Sequence, residues 1–299
     1  MNDHPEVNAF LTYVQKEKQL AANTVKNYTR DLAQFMAYLH QENIDHPIRV
    51  LPKNIRHFMS LLRHKGLSSR SIARMLSSVR QFYHYLIREK FTDTNPAVGI
   101  HPPKGARNLP SPPDVDKTHA MFKAKVDAEL EVRDIAMIEV TYACGLRLSE
   151  LVTLAFSMIN SDEQTLSITG KGRKMRIIPM GERAIEAIQR WSDLRNTYMC
   201  GTDDHDIIFT SKQGRPLSAR GVQKRFERFG RHYTDFHLHP HLLRHAFASH
   251  LLESSGNLRA VQTLLGHASI VSTQVYTHLD FQHLADTYDQ AHPRAKRKR

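Results

Sequence analysis

The sequence lacks the features of several large classes of protein. It contains two cysteines, Cys144 and Cys200, which are too few for a disulfide framework and lack the spacing of a zinc site. No apolar run approaches the roughly 18 residues that a membrane-spanning helix needs. The first residues also lack the charged and apolar regions of a signal peptide. These absences predict an intracellular, cytoplasmic protein.

Acidic residues are in the minority, which favours a polyanionic partner. The 299 residues carry a formal net charge of +12. Residues 1–110 hold 16 Lys and Arg against 8 Asp and Glu, a net +8, whereas the remainder holds 26 against 22, a net +4. The charge distribution predicts a first region that grips double-stranded DNA and a second that mixes its charges around a site.

The first hundred residues predict helices, because apolar residues recur at steps of three and four. One stretch follows Asn23 and Thr24 and another follows Ser68 and Ser69, all of which can cap a helix. The apolar positions are Val25, Tyr28, Leu32, Phe35, Met36 and Leu39 in the first stretch, and Ile72, Met75, Val79, Phe82 and Leu86 in the second.

The second of these helices has a polar face that suits DNA. Arg70, Arg74, Gln81 and Arg88 share that face and are predicted to reach phosphates and base edges in a major groove. A solvated outer face is an equally good interpretation of the helix taken alone, since charged outer faces are typical of surface helices.

A proline-rich segment divides the chain. Residues 101–113 contain five prolines, which favour an extended strap over a helix. We therefore expect a helical domain over residues 1–100, a linker over 101–113 and a second domain over 114–299. Such a strap would let the two domains close around a duplex.

The second domain predicts a mixed structure. Helical patterns run from Asp114 to about Ala143, from Glu182 to Tyr198, from Ser218 to Phe229 and from Pro240 onward. Two alternating stretches, 165–168 and 175–178, flank a glycine-containing turn and predict a hairpin. The expected fold class is mainly α with a small β-hairpin or sheet. The basic tail over residues 294–299 is expected to be solvated.

Six residues of the second domain have the chemistry of a phosphoryl-transfer site. A guanidinium binds two phosphate oxygens, a lysine or histidine can move a proton, and a tyrosine hydroxyl can attack phosphorus. Each residue taken alone is explained more simply by a surface ion pair, a turn or core packing, so only their joint order and spacing carry the prediction. The six are Arg147, Lys171, His241, Arg244, His267 and Tyr276.

That order closely resembles the tyrosine recombinase (phage integrase) family, whose signature is Arg, Lys, His-x-x-Arg, His, Tyr. The resemblance extends over almost the whole chain and is greatest to the bacterial Xer recombinases, as judged from residues 252–259, 276–284 and 292–297. It implies a two-domain fold with a helical core-binding (SAM-like) domain followed by a catalytic domain.

The resemblance also implies a mechanism without metal or other cofactor. Tyr276 would attack the scissile phosphate and form a 3′-phosphotyrosine, Lys171 would protonate the leaving 5′-oxygen, and His241 would handle the tyrosine proton. Arg147, Arg244 and His267 would hold the phosphate. The implied partners are DNA, a XerD-like recombinase in a heterotetramer and an FtsK-type DNA translocase. A C-terminal helix (about residues 279–289) would dock into a neighbouring protomer through Leu279, Phe281, Leu284 and Tyr288.

Three other interpretations remain open at this point. A phage or integron integrase, or a type IB-like topoisomerase, would use the same chemistry. An architectural DNA-binding protein would keep the helical domain without the reaction. A zinc site could draw on His237, His239, His241, His245 and His250, although no glutamate follows the first histidine of the helical pair His241 and His245.

Overall fold

The computed structural model describes residues 4–103, 112–124, 128–169, 175–197, 206–266 and 278–295, with the side chains of 278–283 excepted. The chain divides into two compact units, Met1–Leu109 and Pro110–Arg299. Within the described ranges, no helix is both long and apolar enough to cross a membrane.

The first unit is built from helices around an apolar core. Its main helices are α1 (Pro5–Lys16), α2 (Ala22–Gln41), α3 (Pro52–His64) and α4 (Ser69–Arg88). Phe35 and Phe82 are fully buried between them, as the spacing predicts, and Phe10 of α1 is buried beside them. Ser68 caps α4 by accepting a hydrogen bond from the Ser71 amide (3.2 Å). The expected cap at Asn23 and Thr24 is wrong, because α2 already begins at Ala22 and has no side-chain cap.

The second unit combines helices with one small sheet. The helices are α5 (Val115–Phe122), α6 (Glu129–Cys144), α7 (Leu148–Val152), α8 (Glu182–Asn196), α9 (Ala219–Tyr233), α10 (Pro240–Ser255), α11 (Leu258–Leu265) and α12 (His278–Ala291). Helix α6 is central and packs against both α8 and α10, so it is buried on nearly every side. The stretch predicted as one helix from Asp114 forms two, α5 and α6.

The predicted hairpin is confirmed within a three-stranded antiparallel sheet. Strands β2 (Thr165–Thr169) and β3 (Met175–Pro179) pair in register from Thr165 opposite Pro179 to Thr169 opposite Met175. The turn that joins them lies outside the described residues. A short strand, β1 (Ile159–Asn160), pairs with the other side of β2, which leaves β3 at an edge.

The C-terminal segment corrects the expectation of a solvated tail. Leu284 and Tyr288 pack in the core of their own unit, whereas the side chains of Leu279 and Phe281 lie outside the described residues. Docking of this helix into a neighbouring protomer remains a prediction. Arg294 is also buried rather than solvated, and its Nε donates to Glu139 Oε1 at 2.6 Å. Because Arg294 pairs with a carboxylate inside α6, its charge does not require water.

Candidate active site

A glycine at the end of α6 brings Arg147 into the site. Gly145 adopts a left-handed conformation with φ of 57°, which ends the helix. A Cβ at this position would lie 2.5 Å from Cδ1 of Phe247, so the close packing of α10 also requires glycine. The chain turns here and starts α7 immediately after Arg147.

Arg147 is held by two acceptors. Its Nη1 donates to Glu150 Oε1 at 2.9 Å, and its Nη2 donates to the Gly266 carbonyl at 3.1 Å. Its backbone amide donates to Glu150 Oε2 at 2.8 Å. The side chain remains 35% exposed, which leaves part of the guanidinium open to a ligand.

Arg244 approaches the same place from α10. Pro240 occupies the first turn of that helix, as predicted, and the His239 side chain accepts a hydrogen bond from the Leu242 amide (3.1 Å). Arg244 donates to the Gly145 carbonyl and, at 2.7 Å, to the Leu265 carbonyl. Burial, together with the charge of Arg147, lowers the pKa of Arg244 to about 10. The two predicted arginines therefore lie within electrostatic reach of each other.

His241 is exposed in the first turn of α10, one turn before Arg244. The neighbouring His239 is partly buried, and this burial, followed by the charges of His237 and His241, lowers its pKa. His250 lies elsewhere, where it contacts the Tyr142 hydroxyl (2.8 Å) and the Pro113 carbonyl (3.0 Å). Two of the histidines considered as zinc ligands thus have structural partners.

Sequence reasoning missed two residues of the site, Glu150 and Arg176. Glu150 is buried, and both of its oxygens accept hydrogen bonds from Arg176 of β3. Burial alone would raise the pKa of Glu150, but the hydrogen bonds from Arg176 and from the Arg147 amide outweigh it and lower that pKa. The spacing of Arg147 and Glu150 at a helix start was a usable signal, since an acidic residue is common at that position.

Three arginines hold three consecutive carbonyls at the end of α11. Arg176 Nε donates to Leu264 at 3.1 Å, Arg244 Nη2 to Leu265 at 2.7 Å and Arg147 Nη2 to Gly266 at 3.1 Å. Carbonyls at a helix C-terminus have no partner within the helix and carry partial negative charge. The arginines therefore fix the point from which the chain continues toward His267.

Lys171, His267 and Tyr276 lie outside the described residues. The structure thus brings Arg147 and Arg244 together and places His241 on the helix of Arg244.

The predicted DNA-binding face of α4 contains both engaged and exposed side chains. Arg70 and Gln81 are exposed. Arg74 forms an ion pair with the buried Asp31. Arg88 is exposed, lies 3.2 Å from Glu17 and stacks over Tyr13. Arg74 therefore has a structural role within its own unit, and DNA contact by the four residues remains a prediction.

Comparison with known proteins identifies the class. The phage integrase family matches residues 114–283, and the phage integrase N-terminal SAM-like domain matches residues 7–90. The chain belongs to the phage integrase family, the tyrosine recombinases, and is a DNA strand-exchange enzyme. The family prediction made from the order of the six residues is confirmed.

The similarity to individual relatives is extensive. The chain is 46% identical to tyrosine recombinase XerC of Alcanivorax borkumensis, over 98% of this chain and 95% of the relative. It is 44% identical to tyrosine recombinase XerC of Escherichia coli O127:H6, over 98% of both chains.

Solved structures share the fold. XerH site-specific recombinase bound to palindromic difH substrate aligns with a TM-score of 0.70 at 20% identity, over 95% of this chain and 84% of that one. The Tn1549 transposon integrase in complex with circular intermediate DNA aligns with a TM-score of 0.70 at 19% identity, over 93% and 98%.

Proposed function

We propose that this protein is a XerC-type site-specific recombinase of the cytoplasm. It cuts and rejoins double-stranded DNA through a 3′-phosphotyrosine and a Holliday junction, and it resolves chromosome or plasmid dimers at segregation. It acts in a heterotetramer with a XerD-like recombinase and under an FtsK-type translocase. The near full-length similarity to XerC proteins supports this assignment over a phage or integron integrase.

One observation in the structure carries the chemistry: three guanidinium groups lie around a single carboxylate, which binds two of them directly. Arg147 and Arg176 both bind Glu150. Burial, followed by the charges of Arg147 and Arg176, lowers the pKa of Arg244. The cluster therefore has an excess of positive charge at a partly exposed position. A phosphate is the ligand that relieves this excess, because arginine binds its oxygens in a bidentate manner.

The reaction balances without any cofactor. The Tyr276 hydroxyl attacks phosphorus and loses its proton to His241, while the bond from phosphorus to the 5′-oxygen breaks. Lys171 gives a proton to that oxygen, which leaves as a free 5′-hydroxyl. Arg147, Arg244 and His267 stabilise the charge on the nonbridging oxygens. The phosphotyrosine conserves the phosphodiester energy, so attack by an incoming 5′-hydroxyl reseals the strand.

The two domains have different roles, DNA binding in the first and catalysis in the second. Residues 1–100 form the core-binding domain, residues 101–113 the linker and residues 114–299 the catalytic domain. The basic excess of residues 1–110 and the match of the N-terminal SAM-like domain support a DNA-gripping role for the first domain. Arg70, Arg74, Gln81 and Arg88 are its proposed DNA contacts.

Covalent trapping tests the chemistry. In a duplex nicked beside the cleavage site, the short fragment with the free 5′-hydroxyl dissociates after cleavage. The strand cannot be resealed, so the covalent protein–DNA intermediate accumulates. We expect the wild-type protein to form this adduct in the presence of chelator, and Tyr276→Phe to bind the same duplex without forming it. A wild-type protein that binds but never forms an adduct would instead be an architectural DNA-binding protein.

A second assay separates a recombinase from a topoisomerase. Two duplex sites are mixed with the protein and a XerD-like partner, and Holliday junctions are resolved on a gel. Relaxation of supercoils without junctions, with every site and partner tried, would refute the recombinase assignment.

A further inference from the structure

Arg176 lies outside the six-residue signature, yet its side chain makes more hydrogen bonds than that of Arg147 or Arg244. It extends from the edge strand β3, its side chain is 9% exposed, and it makes three hydrogen bonds to groups of the site. Its stem also lies beside Gly266, where an added Cβ would come within 3.1 Å of Arg176 Cδ. A solvated strand residue would have none of these contacts.

Arg176 and Arg147 divide the Glu150 carboxylate between them. Oε1 accepts from Arg147 Nη1 and Arg176 Nη1, both at 2.9 Å, and Oε2 accepts from the Arg147 amide and Arg176 Nη2, both at 2.8 Å. A carboxylate has about four acceptor positions, so Glu150 is saturated. Arg147 can therefore place only one of its terminal nitrogens on Glu150.

This division leaves Arg147 available to a substrate. If Arg176 were absent, half of the acceptor capacity of a buried carboxylate would be empty, and burial of an unsatisfied charge is costly. Arg147 is the nearest remaining donor, and its guanidinium could then bind both Glu150 oxygens and replace the hydrogen bonds lost with Arg176. That rearrangement would turn the Arg147 guanidinium away from the phosphate and away from the Gly266 carbonyl.

We propose that Arg176 is a positioning residue for DNA cleavage: by occupying one side of Glu150 and the Leu264 carbonyl, it holds Arg147 in the orientation that receives the scissile phosphate. This inference rests on the proposed function and adds to it a residue that does not itself touch the DNA. It also gives β3 a role, since the strand supplies the side chain that completes the arginine cluster.

A substrate without phosphate charge separates positioning from simple stabilisation. In a methylphosphonate, a methyl group replaces a nonbridging oxygen at the scissile position, so the reacting group is neutral and depends less on arginine. Covalent adduct formation is measured in single turnover on the phosphodiester and on the methylphosphonate. The variants are Arg176→Met, which removes the charge and the paired N–H donors of the guanidinium, and Arg176→Lys, which keeps only the charge.

We expect Arg176→Met to lower the cleavage rate on the phosphodiester by up to about 100-fold, because a misplacement of a catalytic group by about 1 Å can cost that much. On the methylphosphonate, most of that loss should disappear relative to wild type. The cleavage rate of Arg176→Lys on the phosphodiester should lie between those of Arg176→Met and the wild type. A lysine neutralises Glu150 but binds only one of its oxygens at a time.

Arg133 provides the matched control. It is a buried arginine of the same unit, 4% exposed, which binds Asp134 (3.0 Å) and the Thr210 carbonyl (2.9 Å). Arg133→Met should lower thermal stability and, at a temperature where it is folded, cleave both substrates to the same extent relative to wild type. An Arg176→Met protein with equal losses on the two substrates, or with no loss, would overturn the inference. Failure of the wild-type protein to form any adduct would instead refute the proposed function.

Discussion

Glu150 shows how a single carboxylate organises several cations. Its two oxygens bind Arg147 and Arg176, and its charge opposes the repulsion that these arginines exert on Arg244. Sequence reasoning found Arg147 and Arg244 because their positions match a signature. It missed Arg176 because its partners are 26 and 88 residues away along the chain, and such contacts are made only by the folded structure.

The lowered pKa of Glu150 predicts a pH-dependent contribution to stability. A carboxyl whose pKa is lower in the folded than in the unfolded state stabilises the fold fully above the unfolded value. This contribution is lost as the pH falls through the folded value. We expect the difference in free energy of unfolding between wild type and Glu150→Gln to be constant at neutral pH and to shrink below about pH 4.3, the ordinary value for glutamate.

Urea unfolding of both proteins between neutral and acidic pH measures this difference. Glutamine removes only the titrating group, so the other carboxylates cancel in the comparison. A difference that grows as the pH falls would contradict the assigned direction of the pKa.

At the scale of elements, the periodicity of apolar residues predicted the positions of those helices and strands that local sequence determines. Helices α2, α4 and α10 and the β2–β3 hairpin appear where the apolar pattern places them. Strand β1 was missed because two residues are too short to show an alternation. On α4, the shared face of four side chains was readable, but the use of Arg74 by Asp31 was not, since Asp31 belongs to another helix.

The break between α6 and α7 predicts different costs for two similar glycines. Gly145 and Gly256 both end helices with positive φ, 57° and 63°. A Cβ at Gly145 would collide with Phe247, whereas one at Gly256 meets nothing within 4 Å. We expect Gly256→Ala to lower the free energy of unfolding by about 1–2 kcal/mol, the cost of left-handed backbone. Gly145→Ala should lower it by clearly more and should also slow cleavage, because it displaces Arg147.

Urea unfolding and covalent trapping of the two variants test this difference. Gly256→Ala is the control for backbone conformation alone. Equal losses of stability in the two variants would mean that Phe247 moves aside without cost.

At the scale of the whole molecule, the C-terminal segment completes the catalytic unit. Residues 294–299 have the composition of a solvated basic tail, and composition alone cannot reveal a buried acidic partner. In the structure, Arg294 pairs with Glu139, His292 stacks on Tyr288 at 4.8 Å, and the Tyr288 hydroxyl accepts a hydrogen bond from the Gly181 amide (3.3 Å). These contacts join α12 and the residues after it to α6 and to the start of α8. They are made at the C-terminal end of α12, whereas Tyr276 precedes the helix in the sequence.

The buried ion pair of Glu139 and Arg294 predicts that substitutions of the two residues have non-additive effects on the free energy of unfolding. Burial raises the pKa of Glu139, and Arg294 opposes that rise through its hydrogen bonds and charge. Arg294→Met would leave an unpaired buried carboxyl, so we expect it to lower the free energy of unfolding by about 3–5 kcal/mol. Removing both charges with Glu139→Met and Arg294→Met should restore most of that loss, because apolar side chains can fill the space without a desolvation cost.

Urea unfolding of the wild type, the two single variants and the double variant closes the thermodynamic cycle. Because Arg294 lies in the second unit, its loss should lower the stability of that unit and leave the intrinsic stability of residues 1–100 unchanged. Additive effects of the two substitutions would mean that the contact contributes little, and that the other packing of the segment, which includes Leu284, Tyr288 and His292, holds it in place. A coupling of several kcal/mol, in contrast, would show that this ion pair anchors the segment that follows α12.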